Sequence, residues 1–212
     1  LRDIVLDQIL SGELEPGSNI KEQETDDELG VSRTPLREAL LQLKADKLVG
    51  SHPRRGFYVA PLVYEEAHEL YEAIGLIESA ALELSGTPDA EVLDQLEEIS
   101  DQRWEARDDP RRNFDLDALW HETLLAHSPN SLLHEILEQL KIRFLRYELT
   151  YMYKPERIEV AIRDHREIVA ALAANDVAEA GEILRRHWTR AASLLAPELD
   201  TDDVEAYAEG SG

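Results

Sequence analysis

Leu29-Gly30-Val31-Ser32-Arg33-Thr34-Pro35-Leu36-Arg37-Glu38-Ala39-Leu40-Leu41-Gln42-Leu43 reads as the end of one helix and the start of another. Gly30 ends the first in the manner of a C′ glycine, where a left-handed backbone carries no steric penalty. Ser32 offers an N-cap oxygen to the second. Leu36, Ala39, Leu40 and Leu43 recur at helical spacing and give that helix one apolar face. Working upstream, a second short helix is predicted over residues 22–29, preceded by the turn Pro16-Gly17, by Ser11-Gly12, and by a first helix over residues 1–10. Working downstream, extended stretches near residues 48–52 and 57–60 flank the tight basic turn Pro53-Arg54-Arg55-Gly56. Helix, helix, three-residue turn, helix and β-hairpin make a winged helix-turn-helix, predicted over residues 1–60.

This module offers a surface for DNA. Arg33, Thr34 and Arg37 lie in the first two turns of the third helix. Free N–H groups at a helix start suit phosphate, and arginine there can reach guanine O6 and N7 in the major groove. Arg54 and Arg55 at the hairpin tip are placed for the DNA backbone or minor groove. Solvated surface charge is the alternative for any one arginine. Four of them, on the two elements a winged helix presents to DNA, favour the DNA reading.

The whole-chain charge argues the other way. The 212 residues carry 45 acidic and 22 basic side chains, net −23, which should repel nucleic acid. The charge is unevenly spread, however. Residues 1–60 hold 11 acidic and 8 basic residues, and residues 61–212 hold 34 and 14. Hydrophobic residues at 43% suffice for a packed core. With no cysteine there is no disulfide, no thiolate nucleophile and no Cys-based metal site. No apolar run is long enough to span a membrane, and no leader-like segment opens the chain. Leu1 reads as mid-helix, so a few upstream residues are expected.

Beyond the linker at Ala60-Pro61 the chain reads as six amphipathic helices in an antiparallel bundle. Ala67, Leu70, Tyr71, Ile74, Ile77, Ala81 and Leu84 mark the first, which Gly86-Thr87-Pro88 stops, with Thr87 as the expected next cap. Val92, Leu93, Leu96 and Ile99 mark the second, which fades in the charged stretch toward Arg112. The third runs from about Phe114 to His127, and Ser128-Pro129-Asn130 breaks it, Asn130 capping the fourth. Leu132, Leu133, Ile136, Leu137, Leu140, Phe144 and Tyr147 mark that helix, up to Lys154-Pro155. Ile158, Ile162, Ile168, Val169 and Leu172 mark the fifth, closed by Asn175-Asp176. Ala180, Ile183, Leu184, Trp188, Ala191 and Leu195 mark the sixth. The bundle is predicted over residues 63–197, with a frayed acidic tail over 198–212.

Four residues of the bundle stand out together. Asp117 and His121 are four apart and share an inward face. His165 lies between Ile162 and Ile168 on one apolar stripe, and His187 between Leu184 and Ala191 on another. One such histidine alone is usually a satisfied core residue. Three of them with a carboxylate, from three helices, suit a divalent Zn, Ni, Mn or Fe ion with positions left open for a ligand. A metal would also satisfy a carboxylate otherwise costly to bury. From the residues alone, a sensor site, a catalytic metal site and a purely structural one all remain open. His52, His68, His127 and His134 fall outside the constellation. Trp120, Tyr151 and Tyr153 read as packing residues.

The run Gly12-x-x-x-Pro16-Gly17, then residues 29–43, then Pro53-Arg54-Arg55-Gly56-Phe57-x-Val59 resembles the DNA-binding domain of GntR-superfamily bacterial repressors. The resemblance implies a homodimer on a short palindromic operator in double-stranded DNA, with the third helix in the major groove. By position its contacts are Ser32, Arg33, Thr34, Arg37, Arg54, Arg55 and Gly56. Asp117-x-x-x-His121, Asp164-His165 and His187 resemble the pattern of the all-helical FCD effector domain of the FadR subfamily. This second likeness implies a metal on Asp117, His121, His165 and His187, with a small organic acid beside it. Together they imply a cytoplasmic regulator and not an enzyme. In two respects the chain departs from the families. The helix over residues 22–29 is unusually acidic, and Ile74 stands where members often carry an arginine four before Glu78. Arg143 and Arg146 are the candidates to meet the effector instead, with plain surface charge as their alternative.

Overall fold

The computed structural model describes residues 1–22, 32–151, 154–195 and 199. The first module contains α1 (Arg2–Leu10), β1 (Asn19–Ile20), α2 (Arg33–Ala45), β2 (Val49–His52) and β3 (Gly56–Val59). The predicted apolar face of α2 is the buried one, since Leu36, Leu40 and Leu43 are fully shielded. Each contributes roughly 1.5–3 kcal/mol of hydrophobic stabilisation. They pack with Val5 and Ile9 of α1 and with Ile20, Phe57 and Val59 of the sheet. That sheet is antiparallel with strand order β1-β3-β2. The two-residue β1 is too short to show a period, and the sequence reading does not contain it. The helix expected over residues 22–29 and Gly30 lie, apart from Glu22, outside the described residues.

α2 stops because Lys47 turns left-handed at φ 64° and the Leu48 N–H donates back to the Leu43 carbonyl at 3.0 Å. In the wing, the Arg55 N–H donates to the His52 carbonyl at 3.2 Å. Pro53 holds the second position of this turn, and Arg54 the third at φ 68°. These are the marks of a type II turn, whose third position normally takes glycine.

The bundle contains α3 (Tyr64–Ser85), α4 (Ala90–Glu105), α5 (Pro110–Leu125), α6 (Ser131–Tyr151), α7 (Pro155–Ala173) and α8 (Val177–Leu195). α3 lies against α8 and α6, α7 against α8 and α4, and α4 against α5. Two small residues let α3 and α8 meet closely. A Cβ on Gly75 would fall 2.9 Å from Trp188 Cβ, and one on Gly181 would fall 2.8 Å from Ser79 Oγ. Leu199 is buried in the bundle core, so the packed chain reaches past residue 197; the remainder of the predicted tail lies outside the described residues.

Some helix ends differ from expectation. Asp89, not Thr87, caps α4, accepting from the Val92 N–H at 3.0 Å, while Thr87 Oγ1 donates to Asn175 Oδ1. α5 starts four residues early, at Pro110, because Asp109 accepts from the Arg112 N–H and Pro110 suits a first turn. Asn130 does cap α6, accepting from the Leu132 N–H.

The linker is held by α6. Arg146 Nη1 donates to the Ala60 carbonyl at 2.8 Å. Tyr147 Oη accepts from the Val63 N–H at 3.2 Å and donates to Glu66 Oε2 at 2.8 Å. Ile142, on the same helix, packs against the core of the first module. Among the described residues no helix is long and apolar enough to cross a membrane.

Candidate functional site

Ser32, Arg33, Thr34 and Arg37 are exposed at the start of α2, and Arg54 and Arg55 are exposed at the wing tip. The guanidinium of Arg37 sits 5.9 Å over the ring of Phe57, which ties the helix to the wing. Gly56, at φ 85°, completes the turn after the two arginines. The predicted contacts other than the half-buried Gly56 are thus accessible to solvent.

The three histidines meet inside the bundle. His121, His165 and His187 are 3%, 0% and 6% exposed, and one nitrogen from each lies within 4.8 Å of the others. Their side chains are oriented from behind. Glu78 Oε2 accepts from His121 Nδ1 at 2.9 Å and from Trp188 Nε1 at 2.7 Å. Asp164 Oδ2 accepts from His187 Nδ1 at 3.3 Å, and Asp164 is also paired with Arg190. Trp120 stacks flat on His165 with centroids 3.6 Å apart. A carboxylate behind Nδ1 leaves Nε2 with its lone pair forward, the form a metal ligand needs. Nε2 of His121 and Nε2 of His165 are buried with no hydrogen-bond partner. Orphaned buried nitrogens in a convergent set fit a divalent cation.

Asp117 is placed differently from the sequence expectation. Arg103 Nη1 pairs with Asp117 Oδ1 at 2.5 Å, while His165 Nε2 is 3.9 Å from the same oxygen. The Arg103 guanidinium therefore compensates this carboxylate. Arg103 is itself 3% exposed, and Asn113 Oδ1 accepts from its Nε and Nη2. Its Nη1 also lies 2.9 Å from His165 Nδ1. Arginine can only donate, so that contact puts the lone pair of His165 on Nδ1.

The electrostatics follow. Burial raises the Asp117 carboxyl, but Arg103 and the neighbouring histidines outweigh it and hold the group low. Burial and then Arg103 push His165 well down, which keeps it neutral. Burial also lowers His121, yet the charge and hydrogen bond of Glu78 leave it raised.

Beside this cluster lies a cavity of about 50 Å³. Its polar lining includes Arg103, Asp117, Glu148, Arg157, Asp164 and Arg190. Arg143 and Arg146, the effector candidates from sequence, are not part of it. Arg143 is paired with Glu66, and Arg146 holds the linker. Ile74 is a core residue, and the cation near the site comes from α4 as Arg103. Sequence reading missed Arg103 because it lies within a charged stretch that looks solvated. It missed Arg157 and Arg190 because each lies on a helix rich in surface arginines. His68 and His127 are exposed, His52 stacks on Tyr58, and His134 lines a groove that His121 also reaches.

With this geometry in hand, comparison with known proteins is decisive. The FCD domain family matches residues 69–190, and the family of bacterial regulatory proteins named gntR matches residues 1–59. This chain belongs to the GntR-family regulators that carry an FCD domain. The HTH-type transcriptional regulator YdhC of Bacillus subtilis is 32% identical over 166 residues, 76% of this chain and 73% of that protein. The HTH-type transcriptional repressor GlaR of Escherichia coli is 27% identical over 192 residues, 84% of this chain and 86% of that one. The solved structure of E. coli McbR/YncC superposes with a TM-score of 0.73 at 23% identity, covering 94% of this chain and 96% of that one, and supports the fold. A GntR/FCD regulator is a DNA-binding transcription factor and not an enzyme, so a catalytic reading of the histidine cluster is set aside.

Proposed function

We propose that this GntR/FCD regulator is a repressor whose operator binding is modulated by a small organic acid bound at a divalent metal in the bundle. The observation that carries this reading is the convergence of His121, His165 and His187, two of them with buried, unpartnered Nε2 atoms. These three would hold the metal once Arg103 withdraws, which would free Asp117 to join and let His165 carry its proton on Nδ1 and present Nε2. The metal would supply positive charge and open positions for a carboxylate. Zn, Ni, Mn and Fe all accept imidazole ligands, so the donor set does not choose among them. The name of GlaR as a repressor supports the direction of regulation. The exposed arginines support double-stranded operator DNA as partner, and a palindromic operator would call for a homodimer. A regulator that acts on the chromosome would work in the bacterial cytoplasm.

Ser32, Arg33, Thr34, Arg37, Arg54, Arg55 and Gly56 are the proposed DNA contacts. Arg33→Ala or Arg37→Ala is expected to weaken specific binding by roughly 1–3 kcal/mol without unfolding the bundle. A mobility-shift titration against the operator checks this, and unchanged affinity would refute the docking. For the metal, elemental analysis of purified protein is expected to show one ion per chain, lost in His187→Ala. One specific observation favours a second reading. Arg103 already occupies the position of a cation beside Asp117, so in this version the acid binds an arginine-centred site with no metal at all. Metal-free protein that still responds to acids on operator DNA would select that version.

A further inference from the structure

The outer face of α2 carries a carboxylate among the residues assigned to DNA. Leu36, Leu40 and Leu43 point into the core of the module. At about 3.6 residues per turn, Thr34, Glu38 and Leu41 fall on the opposite face. Glu38 is exposed, and Leu41 is 52% exposed. Both line one surface depression with Arg33, Thr34 and Arg37. Among the described residues Glu38 makes no hydrogen bond or ion pair. Its neighbours at helical spacing are Thr34, Pro35, Leu41 and Gln42, and none is a cation. Arg37 is adjacent in sequence, but its guanidinium is turned to the wing, over Phe57. The protein thus brings an unpaired carboxylate to the surface that would face the duplex.

A carboxylate there lowers affinity for any duplex, because it repels the phosphates. Docking raises the cost, since base edges on one side and Leu41 on the other strip water from the group. Only a donor on a base offsets that loss. The major groove offers two, cytosine N4 and adenine N6. Adenine sets its N7 acceptor beside N6, which repels the second carboxylate oxygen, whereas cytosine offers its N4 donor alone. Resting on the DNA-contact reading above, we propose that Glu38 is a specificity-determining residue whose carboxylate accepts a hydrogen bond from N4 of a cytosine in each operator half-site. Any other base at that position leaves the carboxylate covered and without a good donor. Glu38 therefore acts by excluding wrong sequences as much as by binding the right one.

The test uses the full chain and begins with selection of binding sites from a pool of randomised duplexes. Affinities for the selected site and for its single-base variants are then titrated. At one position of each half-site, wild type should prefer cytosine to every other base by on the order of tenfold. In Glu38→Ala that preference should fall to about twofold or less, with the preferences at all other positions kept. Glu38→Gln should lose it as well, in favour of adenine, because an amide can pair with both N6 and N7. Glu38 is exposed, so both variants are expected to keep the wild-type Tm. A cytosine preference that survives in either variant overturns the proposal. So does a wild-type site with no such cytosine, or an equal weakening at every position, which would make Glu38 a docking residue. In each of these cases, selection of a defined site by wild type leaves the DNA-contact reading standing. Selection of no site by wild type overturns both.

Discussion

Arg103 carries more of this protein's design than its position at the end of a charged helix suggests. Its guanidinium, 3% exposed, neutralises Asp117, faces His165 Nδ1 and is held by Asn113. Burial lowers its own pKa, with Asp117 and Glu148 opposing that shift. Arg103→Met removes one partner of a buried pair, a change that typically costs about 3–5 kcal/mol. Urea unfolding of the chelator-treated variant should show that loss. The same substitution frees Asp117 and lets His165 take the Nδ1–H tautomer, so zinc affinity should rise relative to wild type. An unchanged or weaker zinc affinity would mean that Arg103 does not compete with the metal. Arg54 presents the opposite case, an exposed residue under backbone strain. Its φ of 68° is a conformation that costs an L side chain on the order of 1 kcal/mol. Strain kept at an exposed arginine points to use of that side chain. Arg54→Gly should therefore leave thermal stability equal or higher while operator affinity falls. A fall in both would show that the arginine serves the turn and not DNA.

α6 touches both the cavity and the first module. Phe144 and Glu148, one turn apart, line the cavity. Ile142, Arg146 and Tyr147 hold the linker and the first module. A ligand that shifts α6 would move those contacts, and linkage then requires DNA and ligand to change each other's affinity equally. Tyr147→Phe keeps the ring and deletes the hydrogen bonds to Val63 and Glu66. The variant should bind acid normally while the acid changes operator affinity several-fold less than in wild type. Paired titrations with and without operator DNA measure this, and intact coupling would remove α6 from the path. The histidines were legible as inward residues because each lies on a regular stripe. The start of α5 was not, because Asp109-Pro110 sits in a charged run where hydrophobic period says nothing, and only the cap geometry reveals it.

For the whole molecule, charge separates the two functions. The first sixty residues are close to neutral, with 11 acidic and 8 basic residues, and the excess acid lies in the bundle and tail. Nonspecific DNA affinity should be weak. A dimer presenting Arg33, Arg37, Arg54 and Arg55 twice should show a log-affinity against log-salt slope no steeper than about −7. A slope of −10 or beyond would require cationic contacts outside this surface. Metal should also hold the bundle together. Because the ion would bind the folded chain alone, saturation at a hundredfold over Kd adds about 2.7 kcal/mol, visible as a higher Tm that chelation reverses.

The sequence by itself determined the winged module, its exposed arginines, the helical bundle and the three inward histidines. Each is written in local periodicity, turn residues and spacing, which short-range sterics and burial enforce. Tertiary structure alone decided what surrounds those histidines. Arg103, Glu78, Glu148 and Asp164 come from four different helices, and an isolated helix gives no sign of which charged residue will be turned inward. It also decided that Asp117 meets a guanidinium, because a buried carboxylate takes whichever cation the packing brings within reach.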